Sequence, residues 1–220
     1  MTDAHCHVAG GDPTVRELVV GRDFFGIHPW RTLDGEGGLD REMQEVRAAL
    51  ESNPSAGVGE IGLDRLKTRE ISKLMREVFE TQLKFAFELD RPLALHGAKC
   101  WGDVVRTVRS MRPAGYSRPI LFHGFSRSGG LLPDIAALNG FVSVGPAVLN
   151  DHATNYRELV KAIPSEMLLV ETDRTSEGGD GEEVFLRDIL AKAADLWGVT
   201  FLELEATIDA NFDAFADGCE

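Results

Sequence analysis

Short apolar runs alternate with longer amphipathic segments along the whole chain, and no other feature narrows its fold as much. The runs at 2–8, 23–27, 56–61, 92–96, 119–123, 140–144 and 167–171 have the length of strands. Between them the apolar period changes. Ile71, Leu74, Met75, Val78, Gln82, Phe85, Ala86 and Leu89 recur every three or four residues, which turns one stripe of a helix toward a sheet. Phe201, Leu204, Ile208, Phe212 and Phe215 repeat the pattern near the end, and a shorter helix is expected at 13–20. Strands that alternate with helices in this way form a parallel α/β sheet.

At 220 residues the chain suits one well-buried domain, and no stretch reads as an interdomain linker, so residues 1–220 are taken as a single unit. The glycine-rich pieces at 34–38 and 176–181 are short enough to be loops between elements. A formal charge of −13 speaks against a broad nucleic-acid-binding surface, because phosphate binding needs a basic field. Any grip on phosphate must therefore be local. Three cysteines, Cys6, Cys100 and Cys219, are too few and too scattered for a disulfide framework and fit a reducing compartment. The first residues carry no basic or apolar leader, and no apolar run reaches the ~18 residues that span a bilayer. The expectation is a cytoplasmic protein with no membrane segment and no obligate protein partner.

Polar residues able to bind metal collect at the ends of the strands. His5 and His7 lie two apart in the first run and so project to one side of a strand. Glu60 stands near the end of Ala56-Gly-Val-Gly-Glu-Ile61, His96 closes Pro92-Leu-Ala-Leu-His96, His123 closes Ile120-Leu-Phe-His123, and Asp173 follows the last run. In a parallel barrel all strand ends of one sense share a face, which is where such folds keep their chemistry. One histidine there is more often a hydrogen-bonded rim residue than a ligand. Four histidines and two acids in equivalent places point instead to a metal centre.

The segments Asp3-Ala-His-Cys-His7, Gly26-Ile-His-Pro29, Gly59-Glu-Ile-Gly-Leu-Asp64, Pro92-Leu-Ala-Leu-His96, His123-Gly-Phe125, Glu171-Thr-Asp173 and 211–215 follow in an order that resembles the TatD-like metal-dependent deoxyribonucleases of the amidohydrolase superfamily. The resemblance implies a TIM-type parallel β/α barrel with two divalent ions, Zn, Mn, Mg or Fe. It implies that His5, His7 and Asp173 hold one ion, that His96 and His123 hold the other, and that Glu60 bridges them. Glu60 and Asp173 would be the catalytic carboxylates, and the substrate an anionic phosphodiester such as DNA. Only twenty residues separate His7 from His28, so one βα unit is expected to be missing and the barrel to be trimmed to about seven strands.

Two departures bear on substrate. Gly97-Ala-Lys-Cys100 replaces the Ser-x-Arg-like residues usual after the fourth-strand histidine, and Arg174 replaces the proline usual after Glu-Thr-Asp. His28, Lys99 and Arg127 are the candidate substrate contacts. Hydroxide held by two metals attacks a carbonyl carbon as well as phosphorus, so hydrolysis of a carboxyl ester, lactone or amide is the alternative, and a non-catalytic metal-binding barrel is a third reading.

Overall fold

In a computed structural model, which describes residues 1–126, 129–175 and 185–217, the parallel strands are β1 (Thr2–Cys6), β2 (Arg16–Val19), β3 (Phe24–Phe25), β4 (Gly57–Asp64), β5 (Leu93–Ala98), β6 (Ile120–Phe122), β7 (Gly140–Val144) and β8 (Leu168–Val170). The helices are α1 (Leu39–Ser52), α2 (Lys73–Glu88), α3 (Trp101–Met111), α4 (Leu132–Ala136), α5 (Thr154–Ala162), α6 (Leu186–Trp197) and α7 (Phe201–Asp217). Strands β3 to β8 pair in chain order, and β1 pairs with β2. A parallel bridge between Val20 and Phe24 joins the two sheets at one seam. At the other, the Asp173 N–H donates to the His5 carbonyl at 3.0 Å and the His7 N–H to the Arg174 carbonyl at 2.8 Å. The result is a TIM-type parallel barrel with its helices outside.

The expected strand count needs correcting. Among the described residues there are eight strands rather than seven, because the segment read as a helix at 13–20 contains β2. What the trimming removed is helix, not strand: residues 7–15 lead from β1 to β2, and 20–23 from β2 to β3, with no helix in either. Val15, Val19 and Val20 favour the extended form, since β-branched side chains lose rotamer freedom in a helix and pack well on a pleated surface.

Every residue of β4 is buried, as expected of a strand covered on both faces. Helix α2 starts where the Ser72 hydroxyl accepts the Met75 N–H at 3.0 Å, a conventional N-cap. Its predicted stripe faces inward, with Met75, Val78, Gln82 and Ala86 buried. Helix α7 packs on β1 and β8, and Phe215 meets Phe24 ring to ring at 6.2 Å. Cys6 and Cys100 are buried free thiols, and Cys219 lies outside the described residues. Among the described residues no helix is long and apolar enough to cross a membrane.

Candidate metal centre

His5, His7, Glu60, His96, His123 and Asp173 converge in one cluster, Glu60 from the middle of β4 and the others from in or just beyond the C-terminal halves of β1, β5, β6 and β8. Glu60 is at the centre, 3% exposed, and its two oxygens face different partners. Oε2 looks toward Nε2 of His5 at 3.4 Å and of His7 at 3.2 Å. Oε1 looks toward His96 Nδ1 at 2.7 Å, His123 Nε2 at 2.5 Å and His28 Nε2 at 3.4 Å. Asp173 Oδ1 lies 3.8 Å from His5 Nε2 and 3.6 Å from His7 Nε2. The carboxylate thus divides the histidines into two groups.

Local structure holds these side chains in place. The Asp3 carboxylate accepts the Thr172 N–H at 3.0 Å and the Thr172 hydroxyl at 2.6 Å, which ties the loop after β8 to β1 and places Asp173 beside His5. Arg174, the residue that departs from the usual proline, braces the same seam. Its carbonyl accepts the N–H groups of His7 and Val8, and its guanidinium meets Glu17 Oε1 of β2 at 2.6 Å. His28 is set by the buried amide of Gln82, which accepts the Ile27 N–H at 2.6 Å and donates to the Ile27 carbonyl at 3.1 Å. Neither Gln82 nor Asp3 stood out in the sequence. A glutamine within an otherwise apolar helical stripe was the signal available for the first.

The electrostatics follow from crowding. Burial would push the Glu60 pKa up, but His123 and the other facing imidazoles outweigh it and hold the carboxyl well below its ordinary value. Burial likewise opposes charge on His123, yet the Glu60 and Glu171 carboxylates raise its pKa well above normal. Asp173 and Glu60 push His7 up to about 9. For His28 burial prevails and the pKa falls. Its Nδ1 accepts the Trp30 N–H at 3.2 Å, so the neutral ring carries its proton on Nε2, which faces Glu60. His28 is therefore suited to donate a hydrogen bond into the site.

The donor set fits divalent ions. Ligand atoms of His5, His7 and Glu60 lie within 4.8 Å of one another, as do those of His5, His123 and Asp173, and those of His28, Glu60 and His96. Both ring nitrogens of His5 and Nδ1 of His123 are buried without a hydrogen bond. Buried polar atoms are rarely left so, and an ion beside Glu60 would satisfy the lone pair of His5 Nε2, the one of these three nitrogens that faces the cluster. Imidazole and carboxylate together suit Zn, Mn or Fe, and carboxylate oxygens also suit Mg.

A cleft of about 910 Å³ opens over this cluster, lined by His96, His123 and Asp173 and by the cations Lys99, Arg65 and Arg106. Both arginines are engaged with Asp103, at 3.1 Å and 2.8 Å. Lys99 is the predicted substrate contact placed in the cleft, and His28 stands beside Glu60. Arg127 lies outside the described residues. Trp101 packs against Phe122 and Phe125, whereas Trp30 is 44% exposed.

The family model for TatD related DNase matches residues 16–217, so β1 with His5 and His7 precedes the matched stretch. Among curated proteins, the chain is 24% identical over 215 residues to the uncharacterized metal-dependent hydrolase YabD of Bacillus subtilis, covering 93% of this chain and 84% of that one. It is 27% identical over 198 residues to the 3'-5' ssDNA/RNA exonuclease TatD of Klebsiella pneumoniae, covering 84% of this chain and 73% of the other. Its fold superposes on that of YjjV, a TatD homolog from Escherichia coli, with a TM-score of 0.80 at 20% identity, over 97% of this chain and 96% of the other.

Proposed function

The chain belongs to the TatD related DNase family, and from that premise we propose that it is a metal-dependent hydrolase that cleaves phosphodiester bonds at a two-metal centre. His5, His7 and Asp173 would hold one divalent ion, His96 and His123 the other, with Glu60 between them. The observation that carries this reading is the division of Glu60: one oxygen serves His5 and His7, the other His96 and His123. Nuclease activity in the Klebsiella relative supports a nucleic-acid strand as the substrate.

Bound divalent ions supply a water acidified to a pKa of about 7 and positive charge for the developing oxyanion. The protein's own residues do the rest. Glu60 stays ionised because its pKa is held low, so it keeps both oxygens available as acceptors. Asp173, 46% exposed and facing the cleft, would hold an ion through Oδ1, the oxygen turned to His5 and His7, and is placed to take a proton on its other oxygen. His28 offers Nε2–H as a donor from beside Glu60, and Lys99 adds a charge for the phosphate.

The test is to strip the protein with a chelator, reload it separately with Zn, Mn, Mg or Fe(II), and assay each form. The substrates are bis(p-nitrophenyl) phosphate, single-stranded DNA, a phosphomonoester and a carboxyl ester. Metal-restored cleavage of the diesters is expected. Hydrolysis confined to the carboxyl ester would move the assignment to carbonyl chemistry, and two bound ions with no turnover would favour the non-catalytic barrel.

A further inference from the structure

Asp64 closes β4 with its side chain wholly buried, and its two oxygens serve different ends. Oδ1 accepts the Lys67 N–H at 2.8 Å, the local bond that turns the chain after the strand. Oδ2 faces the Trp30 indole Nε1–H at 2.6 Å and His96 Nε2 at 3.1 Å. A turn-closing aspartate needs only the first of these. His96 is also unlike its neighbours. His5, His7, His28 and His123 present Nε2 to Glu60, while His96 presents Nδ1 and turns Nε2 away to Asp64.

We propose that Asp64 is a positioning residue that joins His96 to Trp30 through one carboxylate oxygen, so that the metal-facing nitrogen of the first and the seat of the second are set together. This rests on the two-metal reading of the cleft. By accepting Nε2–H, Asp64 fixes the His96 tautomer whose Nδ1 lone pair points at the Glu60 side, as carboxylates behind metal-bound histidines do. By accepting the indole N–H with the same oxygen, it anchors an exposed ring. That ring stands edge-on to His28 at 4.8 Å and to His96 at 6.4 Å, with Lys67 Nζ 3.8 Å from its centre. Trp30 is thereby coupled to His96: both donors share Oδ2, so a movement of the His96 ring moves the acceptor on which the indole is seated.

The full-length, metal-stripped protein titrated with Zn²⁺ alone tests this. Zinc stoichiometry comes from calorimetry. The ¹⁵N-labelled protein gives the indole N–H signals of its three tryptophans and the ring nitrogens of its histidines. Loss of a peak in Trp30→Phe identifies the Trp30 signal. Zinc is expected to shift that signal while leaving the signal of Trp197, which donates to the Val160 carbonyl, in place. His96 should show a ligated Nδ1 and a protonated Nε2. In Asp64→Asn the indole N–H and His96 Nε2–H face either an opposing N–H group or a neutral oxygen, which accepts more weakly than a carboxylate. The Trp30 signal should move toward that of a free indole, and zinc affinity at one site should fall about 10–100-fold. Trp30→Phe, which removes one donor only, should keep its zinc stoichiometry. Zinc bound with His96 ligating through Nε2, or a Trp30 signal indifferent to zinc, overturns the proposal and leaves the metal centre standing. No zinc uptake overturns both. These outcomes are read in the unmutated protein, so the proposal stays testable if Asp64→Asn does not fold.

Discussion

Glu60→Gln changes a single group, yet an amide cannot offer an anionic oxygen to both halves of the cluster. One side of it presents N–H donors to imidazole nitrogens whose lone pairs a metal would need. Metal analysis should therefore find one ion or none in the purified variant and two in the parent; two retained ions in the variant would remove Glu60 from its proposed bridging place. Asp173→Asn should keep more of the metal but slow diester hydrolysis by about 10²–10⁴-fold, the range for loss of a general base. His7 sets a pH dependence. Asp173 and Glu60 raise its pKa from 6.5 to about 9 in the metal-free fold. A raised pKa means this pairing stabilises fully below about 6.5 and is lost as pH rises through about 9. Metal binding needs the unprotonated ring, so the two trends oppose each other. From pH 6.5 to 9 the melting temperature of the metal-free protein should fall on this account while metal affinity rises. Flat affinity over that window would mean His7 is not a ligand.

At the scale of elements, the site depends on how closely β4 approaches β5. A Cβ placed on Gly62 would lie 2.0 Å from the His96 carbonyl oxygen, a backbone atom that no rotamer change can move. Gly62→Ala should push the strands apart, cost about 1–3 kcal/mol in urea denaturation, and weaken metal binding because His96 moves away from Glu60. Gly37→Ala, where the added carbon meets open space, should cost far less, and equal losses in both would show that strand spacing is not the cause. The same elements show what a sequence discloses. Period-two and period-three-to-four patterns are repeated over many residues, so β7 and the buried stripe of α2 were legible, and so were the strands that carry Glu60 and His96 and the one that His123 follows, although β4 runs on to Asp64, past the expected end at residue 61. The stretch at 13–20 is too short to separate the two periods, and Pro13 suits a helix's first turn as well as a loop, which hid β2. Asp64 bonds to Trp30 across 34 positions and Arg174 to Glu17 across 157. Such pairings leave no local mark, since neither partner's neighbours depend on the other.

At the scale of the whole molecule, the proposed activity requires a chain with 36 acidic and 23 basic residues to hold an anionic strand. A protein that binds nucleic acid through a broad basic face releases many counterions, and its affinity then falls steeply with salt. Among the described residues the cations that line the cleft are Lys99, Arg65 and Arg106, and Asp103 already engages the two arginines. On the proposed reading, attraction would come from Lys99 together with the positive charge of ions held in the metal centre, against a repulsive background. One or two phosphates neutralised on a single strand correspond to a slope of log affinity against log salt of about −1. Binding of a phosphorothioate oligonucleotide, which resists cleavage, measured between 50 and 300 mM salt (about the range over which such slopes are read), should give that shallow dependence. Lys99→Ala should weaken binding and reduce the slope by about 0.7, while leaving the metal content unchanged. A slope steeper than about −3, or one that Lys99→Ala does not alter, would place the strand on a surface other than this cleft.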